Sequence, residues 1–239
     1  MSVLTLVRHG QASFFTDDYD RLSTVGEQQA VLLGQYWARQ GVTFDSVLTG
    51  PRLRQRRTAE LVGTAYRQAG LDWHDPVVLD DLDEYDLDGL LLRLAPQLAL
   101  QNAEFAQLAE SFWQSQEELD RLRSFQRMFE SLLHHWQSTD WADAGLESWP
   151  AFRARVERVV RGVQAHGQRG RSTVLFTSGG FIGSATQWAL DAPDRAALEL
   201  NWRVRNGSLT EFVFTEERLT LDTFNAVPHL PDPALWTFR

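Results

Sequence analysis

The chain has no cysteine, which excludes disulfide bridges, thiolate metal sites and a cysteine nucleophile together. It also has no surplus of positive charge. Its 23 basic residues stand against 32 aspartates and glutamates, for a formal net charge of -9 and a pI near 5.1. That balance disfavours general affinity for nucleic acid or anionic membranes, so an anionic ligand requires a local cluster of arginines. Long hydrophobic runs are missing too: nothing approaches the roughly 18 apolar residues of a membrane span. The opening MSVLTLVRHG ends its short apolar run at Arg8 and His9, which does not fit a signal peptide. A cytoplasmic soluble protein is the expectation. No repeat or low-complexity linker is found, and 239 residues, 43% of them hydrophobic, suffice for a sizeable core.

What is there alternates between strand and helix patterns. Val3 to Val7 reads as a first strand, running into Arg8-His9-Gly10. Ser23 or Thr24 is a candidate N-cap, with Glu27 as capping-box partner, for a helix to about Arg39 that turns Ala30, Leu33 and Tyr36 or Trp37 inward and stops at Gly41. Phe44 to Leu48 is a second strand, Leu53 to Ala69 a second helix and Val77 to Leu79 a third strand, followed by an acidic loop from Asp80 to Gly89. Apolar residues recur at helical spacing from Pro96 to Trp136, consistent with one or two helices. Trp149 to His166 is another amphipathic helix. Thr173 to Thr177 is a strand that Gly179-Gly180 turns into a helix reaching about Leu190, and Leu209 to Phe214 with Arg218 to Phe224 forms a closing strand pair. The expected fold is a three-layer α/β/α sandwich with a mostly parallel sheet. Residues 1–239 read as one domain, with a helical cap inserted at about 90–146.

In open α/β sheets ligands collect at the carboxyl ends of strands, which is where Arg8-His9-Gly10 falls. A guanidinium there can hold a phosphoryl oxygen by paired hydrogen bonds while a neutral imidazole attacks phosphorus. Taken alone, these residues are equally a chance tripeptide. Arg54 sits among Arg52, Arg56 and Arg57, which is either a solvated helix face or an anion site. Glu84 lies among Asp81, Asp83, Asp86 and Asp88, whose like charge would favour its protonated form, as a general acid needs. By composition that loop is simply acidic and hydrated, and no EF-hand pattern is present.

The segments RHGQAS, LSTVGEQQAVLLG and LTGPRLRQRRTAEL together resemble the N-terminal third of the histidine phosphatase (phosphoglycerate mutase-like) superfamily. Ser23, Gly26, Gln29 and Ala30 match its S-x-x-G-x-x-Q-A, while Pro51, Arg54 and Thr58 match its S-P-x-x-R-x-x-x-T with Gly50 in the serine's place. The resemblance implies His9 as nucleophile, Arg8 and Arg54 as phosphate clamps and Glu84, in the family's L-x-E segment, as the proton donor. It also implies Gln11 and Ser23 as pocket candidates, a small phosphorylated substrate, and no metal or cofactor.

The departure comes at LFTSGGFIG, where Ser178 stands in place of the family's second histidine. Ser178 and the Gly179 amide, at a helix N-terminus, can still meet an anion. An imidazolium is lost, and one removed donor is worth on the order of 10²- to 10³-fold in rate. A serine-hydrolase elbow is disfavoured because Phe176 occupies its first glycine position, and a dinucleotide loop because Ser178 does. Asn206-Gly207-Ser208-Leu209 and FNAVPHL resemble the closing strands and tail. His229 is there either a pocket-rim group or a surface histidine in Pro-bounded coil. His134 and His135 read as solvent-side residues of the insertion. Its aromatics Phe105, Phe112, Trp113, Trp136 and Trp141 read as core or as an apolar pocket wall. The implied activity is a metal-independent phosphomonoesterase, against a phosphate-ester binding protein without turnover, or a mutase.

Overall fold

A computed structural model of the chain describes residues 1–13, 20–139, 145–166 and 170–238. They fall into two compact units, Met1–Glu84 with Arg155–Arg239, and Tyr85–Ala154.

The first unit is built on a six-stranded sheet of β1 (Ser2–Arg8), β2 (Ser46–Thr49), β3 (Val77–Val78), β4 (Ser172–Thr177), β5 (Leu209–Phe214) and β6 (Leu219–Ala226), in the order β3-β2-β4-β1-β5-β6. β3, β2, β4 and β1 run parallel, β5 joins β1 antiparallel, and β6 joins β5 antiparallel at the edge. Alternate residues serve opposite faces. Val7, Val47, Val174, Phe176 and Leu209 pack with Leu33 and Trp37 of α1 (Thr24–Gln40) and Val62 and Tyr66 of α2 (Leu53–Gln68). Leu4, Leu6, Leu175 and Phe212, on the other face, are equally buried. The sheet is covered on both sides, as a parallel sheet requires.

Local chemistry accounts for the helix ends. Ser23, not Thr24, caps α1: its hydroxyl accepts the Gly26 N–H at 3.1 Å. Glu27 forms no capping box and pairs instead with Arg57 at 3.0 Å. Gly41 ends the helix at φ 65°, a left-handed conformation that suits glycine. β2 starts at Ser46 rather than Phe44, because the Phe44 ring is drawn into the aromatic core against Trp37 and Trp73. β4 leads through Ser178 into α8 (Gly179–Ala189), followed by α9 (Arg195–Asn201), a helix the apolar spacing did not announce.

In the second unit a one-turn helix α3 (Leu87–Gly89) and a π-helical turn (Leu90–Leu94) precede α4 (Ala95–Gln101), α5 (Ala103–Gln114) and α6 (Glu118–Ser138). The continuous periodicity from Pro96 therefore hides breaks. Asn102 makes the first, its side chain accepting the Phe105 N–H and capping α5. Phe105, Phe112 and Trp136 are buried, and ring contacts link Phe112 through Phe125 and Phe129 to Tyr85, Trp136 and Phe152. That stripe is a core, although Trp113 is 75% exposed. Trp141 lies outside the described residues. His134 is exposed, but His135 is not a solvent-side residue: it meets Ser131 O and the Asn102 amide. α7 (Trp149–His166) then carries the chain back into the first unit.

Candidate active site

His9 follows directly on β1, and backbone bonds fix it from both sides. Its N–H donates to Thr177 O of β4 at 2.9 Å, and its carbonyl accepts from the Asn206 amide and the Gly207 N–H, both at 3.3 Å. Gly207 reaches this position at φ 71°. The turn beyond His9 presses on the start of α1, and a methyl group on Gly10 would lie 2.3 Å from Gly26 O. Only glycine permits that approach.

The imidazole is 5% exposed and has a defined tautomer. Nδ1 lies 2.7 Å from Gly10 O, and Arg54 Nε lies 3.1 Å from Nε2. A guanidinium only donates and a carbonyl only accepts, so Nδ1 carries the proton and Nε2 the lone pair. Burial above all, then the charges of Arg54 and Arg8, holds the His9 pKa well below its ordinary 6.5, with the Gly10 hydrogen bond opposing. The ring is therefore a neutral base at pH 7.

Every one of the 23 basic residues of this chain is an arginine, and the two at the site are aimed by different elements. Arg54, in the first turn of α2, is buried and its Nη1 donates to Asp20 at 2.8 Å. Asp20 also accepts the Leu53 N–H at 2.8 Å, so one carboxylate caps α2 and orients the guanidinium. Arg8 donates to the Val204 carbonyl that follows α9. A methyl group on Gly179 would lie 3.6 Å from the Arg8 guanidinium carbon and 2.4 Å from Asn201 Oδ1, so Arg8 lies against the start of α8.

Glu84 reaches the same helix end, with Oε2 accepting the Gly180 N–H at 3.0 Å. Of its aspartate neighbours, Asp81 pairs with Arg158, Asp83 with Arg52 and Asp86 with Arg93. Arg155 of α7 also holds the loop, donating to the carbonyls of Asp81 at 2.9 Å and Asp83 at 2.8 Å.

Ser178 is fully buried, and its hydroxyl accepts from Gln55 Nε2 at 2.8 Å. Ser23 donates to Gln11 Oε1 at 2.8 Å, so these two pocket candidates satisfy each other beside α1. His229 is no surface histidine: it is 3% exposed, its Nε2 would lie 3.5 Å from a methyl group on Gly207, and neither ring nitrogen has a hydrogen-bond partner among the described residues. Burial lowers its pKa to about 4. The structure thus gathers Arg8, His9, Arg54, Glu84, Ser178 and Gly179 around the carboxyl ends of β1 and β4 and the start of α8. Asp20, Gln55 and Arg155 were not anticipated. Their sequence signals are weak, since each acts through a partner distant along the chain.

A family model described as the histidine phosphatase superfamily (branch 1) matches residues 4–91 and 92–227. Over 93 residues the chain is 36% identical to the 2,3-bisphosphoglycerate-dependent phosphoglycerate mutase of Rhizobium meliloti (strain 1021), a stretch covering 36% of this chain and 44% of that protein. It therefore spans less than half of that relative. Among solved structures, a phosphoglycerate mutase from Bacillus anthracis superposes with a TM-score of 0.63 at 16% identity, covering 96% of this chain and 95% of that one. A mycobacterial glucosyl-3-phosphoglycerate phosphatase in complex with inorganic phosphate superposes with a TM-score of 0.60 at 21% identity, covering 95% and 98%. At such identities these likenesses speak for the fold alone. Among the described residues no helix is long and apolar enough to cross a membrane.

Proposed function

Because the chain belongs to the histidine phosphatase superfamily, we propose that it hydrolyses a small phosphate monoester through a phosphohistidine, without a metal. The observation that carries this reading is the His9 tautomer. A proton fixed on Nδ1 by Gly10 O leaves the Nε2 lone pair for phosphorus, and the lowered pKa keeps that lone pair available at neutral pH. The Nε2 lone pair forms the bond to phosphorus as the bond from phosphorus to the ester oxygen breaks. Arg54 Nε moves from Nε2 to a phosphoryl oxygen, and Arg8, Ser178 and the Gly179 N–H take the others. Glu84 protonates the departing alkoxide. With Oε2 accepting from Gly180, the second carboxyl oxygen carries that proton. Water, deprotonated by Glu84, then attacks the phosphohistidine, releasing inorganic phosphate and restoring His9. Substrate choice is assigned, on the family resemblance, to the helical insertion at about 90–146.

Ser178 also favours a second reading, in which phosphate esters bind without turnover because an imidazole is missing. Incubation with a panel of radiolabelled phosphate monoesters followed by rapid quenching separates the two. The hydrolase reading expects acid-labile label on the wild type and none on His9→Ala. A wild type that binds phosphate yet takes no label from any ester supports the second reading.

A further inference from the structure

We propose that Gln55 is a positioning residue that turns the Ser178 hydroxyl proton toward the bound phosphoryl group; this rests on the phosphoryl-site reading above. Hydrogen-bond polarity fixes the direction of that proton. Gln55 is fully buried in the first turn of α2, and its carboxamide is held by backbone groups that cannot exchange roles. The Arg52 N–H donates to Oε1 at 3.1 Å, and Leu82 O accepts from Nε2 at 3.3 Å. An amide N–H only donates and a carbonyl only accepts, so the carboxamide has one permitted orientation.

The remaining Nε2 proton therefore points at Ser178 Oγ, 2.8 Å away, and the serine must be the acceptor. Its own proton is driven elsewhere. Among the described residues no acceptor is paired with it, and Ser178 makes no side-chain cap bond to α8. A buried hydroxyl proton without an acceptor is costly, and an anionic oxygen beside Arg8 and Gly179 supplies one.

Gly50 belongs to the same device. A methyl group there would lie 2.1 Å from Gln55 Oε1 and 2.9 Å from Leu82 O, so a side chain at position 50 cannot coexist with this carboxamide. Two departures from the family pattern, Gly50 for serine and Ser178 for histidine, thus meet at one residue that the pattern leaves open. Together they replace an imidazole donor by a serine donor whose direction is set from behind.

The test is a double-mutant cycle read by calorimetric titration with inorganic phosphate. Wild type, Gln55→Met, Ser178→Ala and the double variant are compared, with thermal melts to verify folding. Ser178→Ala should weaken binding by about 10- to 100-fold, the scale of a hydrogen bond to a charged group. Gln55→Met should weaken it by about threefold to tenfold when Ser178 is intact and have no effect in the Ser178→Ala background, since Gln55 acts only through that hydroxyl. Equal losses in both backgrounds make Gln55 a merely structural residue and overturn the inference while leaving the phosphoryl site standing. A wild type that binds no inorganic phosphate overturns the phosphoryl-site reading, and this inference with it. If Gln55→Met does not fold, the same cycle runs with Gln55→Glu. Its carboxylate accepts the Ser178 proton and reverses the bond, so its loss must be larger with Ser178 intact than in the Ser178→Ala background. An equal loss overturns the inference.

Discussion

The end of β1 and the tail beyond β6 each bury a histidine, and they do so in opposite ways. His9 has both ring nitrogens engaged, with Gly10 O on one and Arg54 on the other. His229 has neither engaged among the described residues, and lies against Gly207 and, at 6.4 Å between centroids, the Tyr36 ring. Both are held neutral chiefly by burial. Burial alone therefore does not make an imidazole useful. At His9 the partners choose the tautomer, and the charges of Arg54 and Arg8 bear on the ring. At His229 the same desolvation yields a packed ring and a liability in acid.

That contrast can be broken in several ways. The largest effect is expected for His9→Ala, which should lower kcat/KM on a phosphate monoester by about 10⁴-fold or more, the scale of losing a nucleophile. Steady-state assays decide it, and a smaller loss would leave His9 no better than a buried ring. Glu84→Gln should cost about 10²- to 10⁴-fold on an alkyl phosphate and clearly less on an aryl phosphate, whose leaving group needs no proton. Equal losses on both would remove Glu84 from the role of acid.

Arg54→Met should cost about 10²- to 10³-fold, and it carries a second readout. The wild-type acid limb of kcat/KM should lie well below pH 6.5, because His9 stays neutral there. Removing the guanidinium favours the imidazolium, so the limb should move to higher pH. It should stay under 6.5, since burial, the larger cause, remains. A limb that does not move would show that Arg54 does not act on the ring.

The smallest effect concerns stability. An unfolded histidine takes a proton near pH 6.5, whereas folded His229 resists until about 4. Between those values the unfolded state binds more protons, so stability falls as pH drops through that window, by about 3 kcal/mol in total for His229. Urea unfolding at about pH 7 and about pH 4.5 should show this loss reduced in His229→Leu. The residual loss would include the contribution of His9, whose pKa shifts in the same direction. An unchanged loss in the variant would mean that His229 finds a partner in solution.

The expected strands and most of the helices were legible because apolar periodicity and capping residues are local. Ser23, Gly41 and the Gly179-Gly180 turn mark ends that the fold uses. Arg8, His9 and Arg54 were legible because they lie on short contiguous motifs at a strand end and in a helix's first turn. Errors came where a local reading met a distant partner. Asp81, Asp83 and Asp86 look like a repelling cluster until their arginines are seen. The Pro96–Trp136 stripe looks continuous until Asn102 caps a new helix. His229 looks like a surface residue until the tail packs onto α1, where Gln29 donates to Leu235 O at 2.7 Å.

By itself the sequence determined which residue types stand at the carboxyl ends of β1 and β4, because those ends are written in consecutive letters. Tertiary structure alone decided how those groups are engaged: which nitrogen of His9 holds the proton, what Glu84 touches, and that the Ser178 hydroxyl accepts from Gln55. The reason is physical. A hydrogen bond has a direction only once both partners are in place, and here Gln55 and Ser178 meet across more than 120 intervening positions.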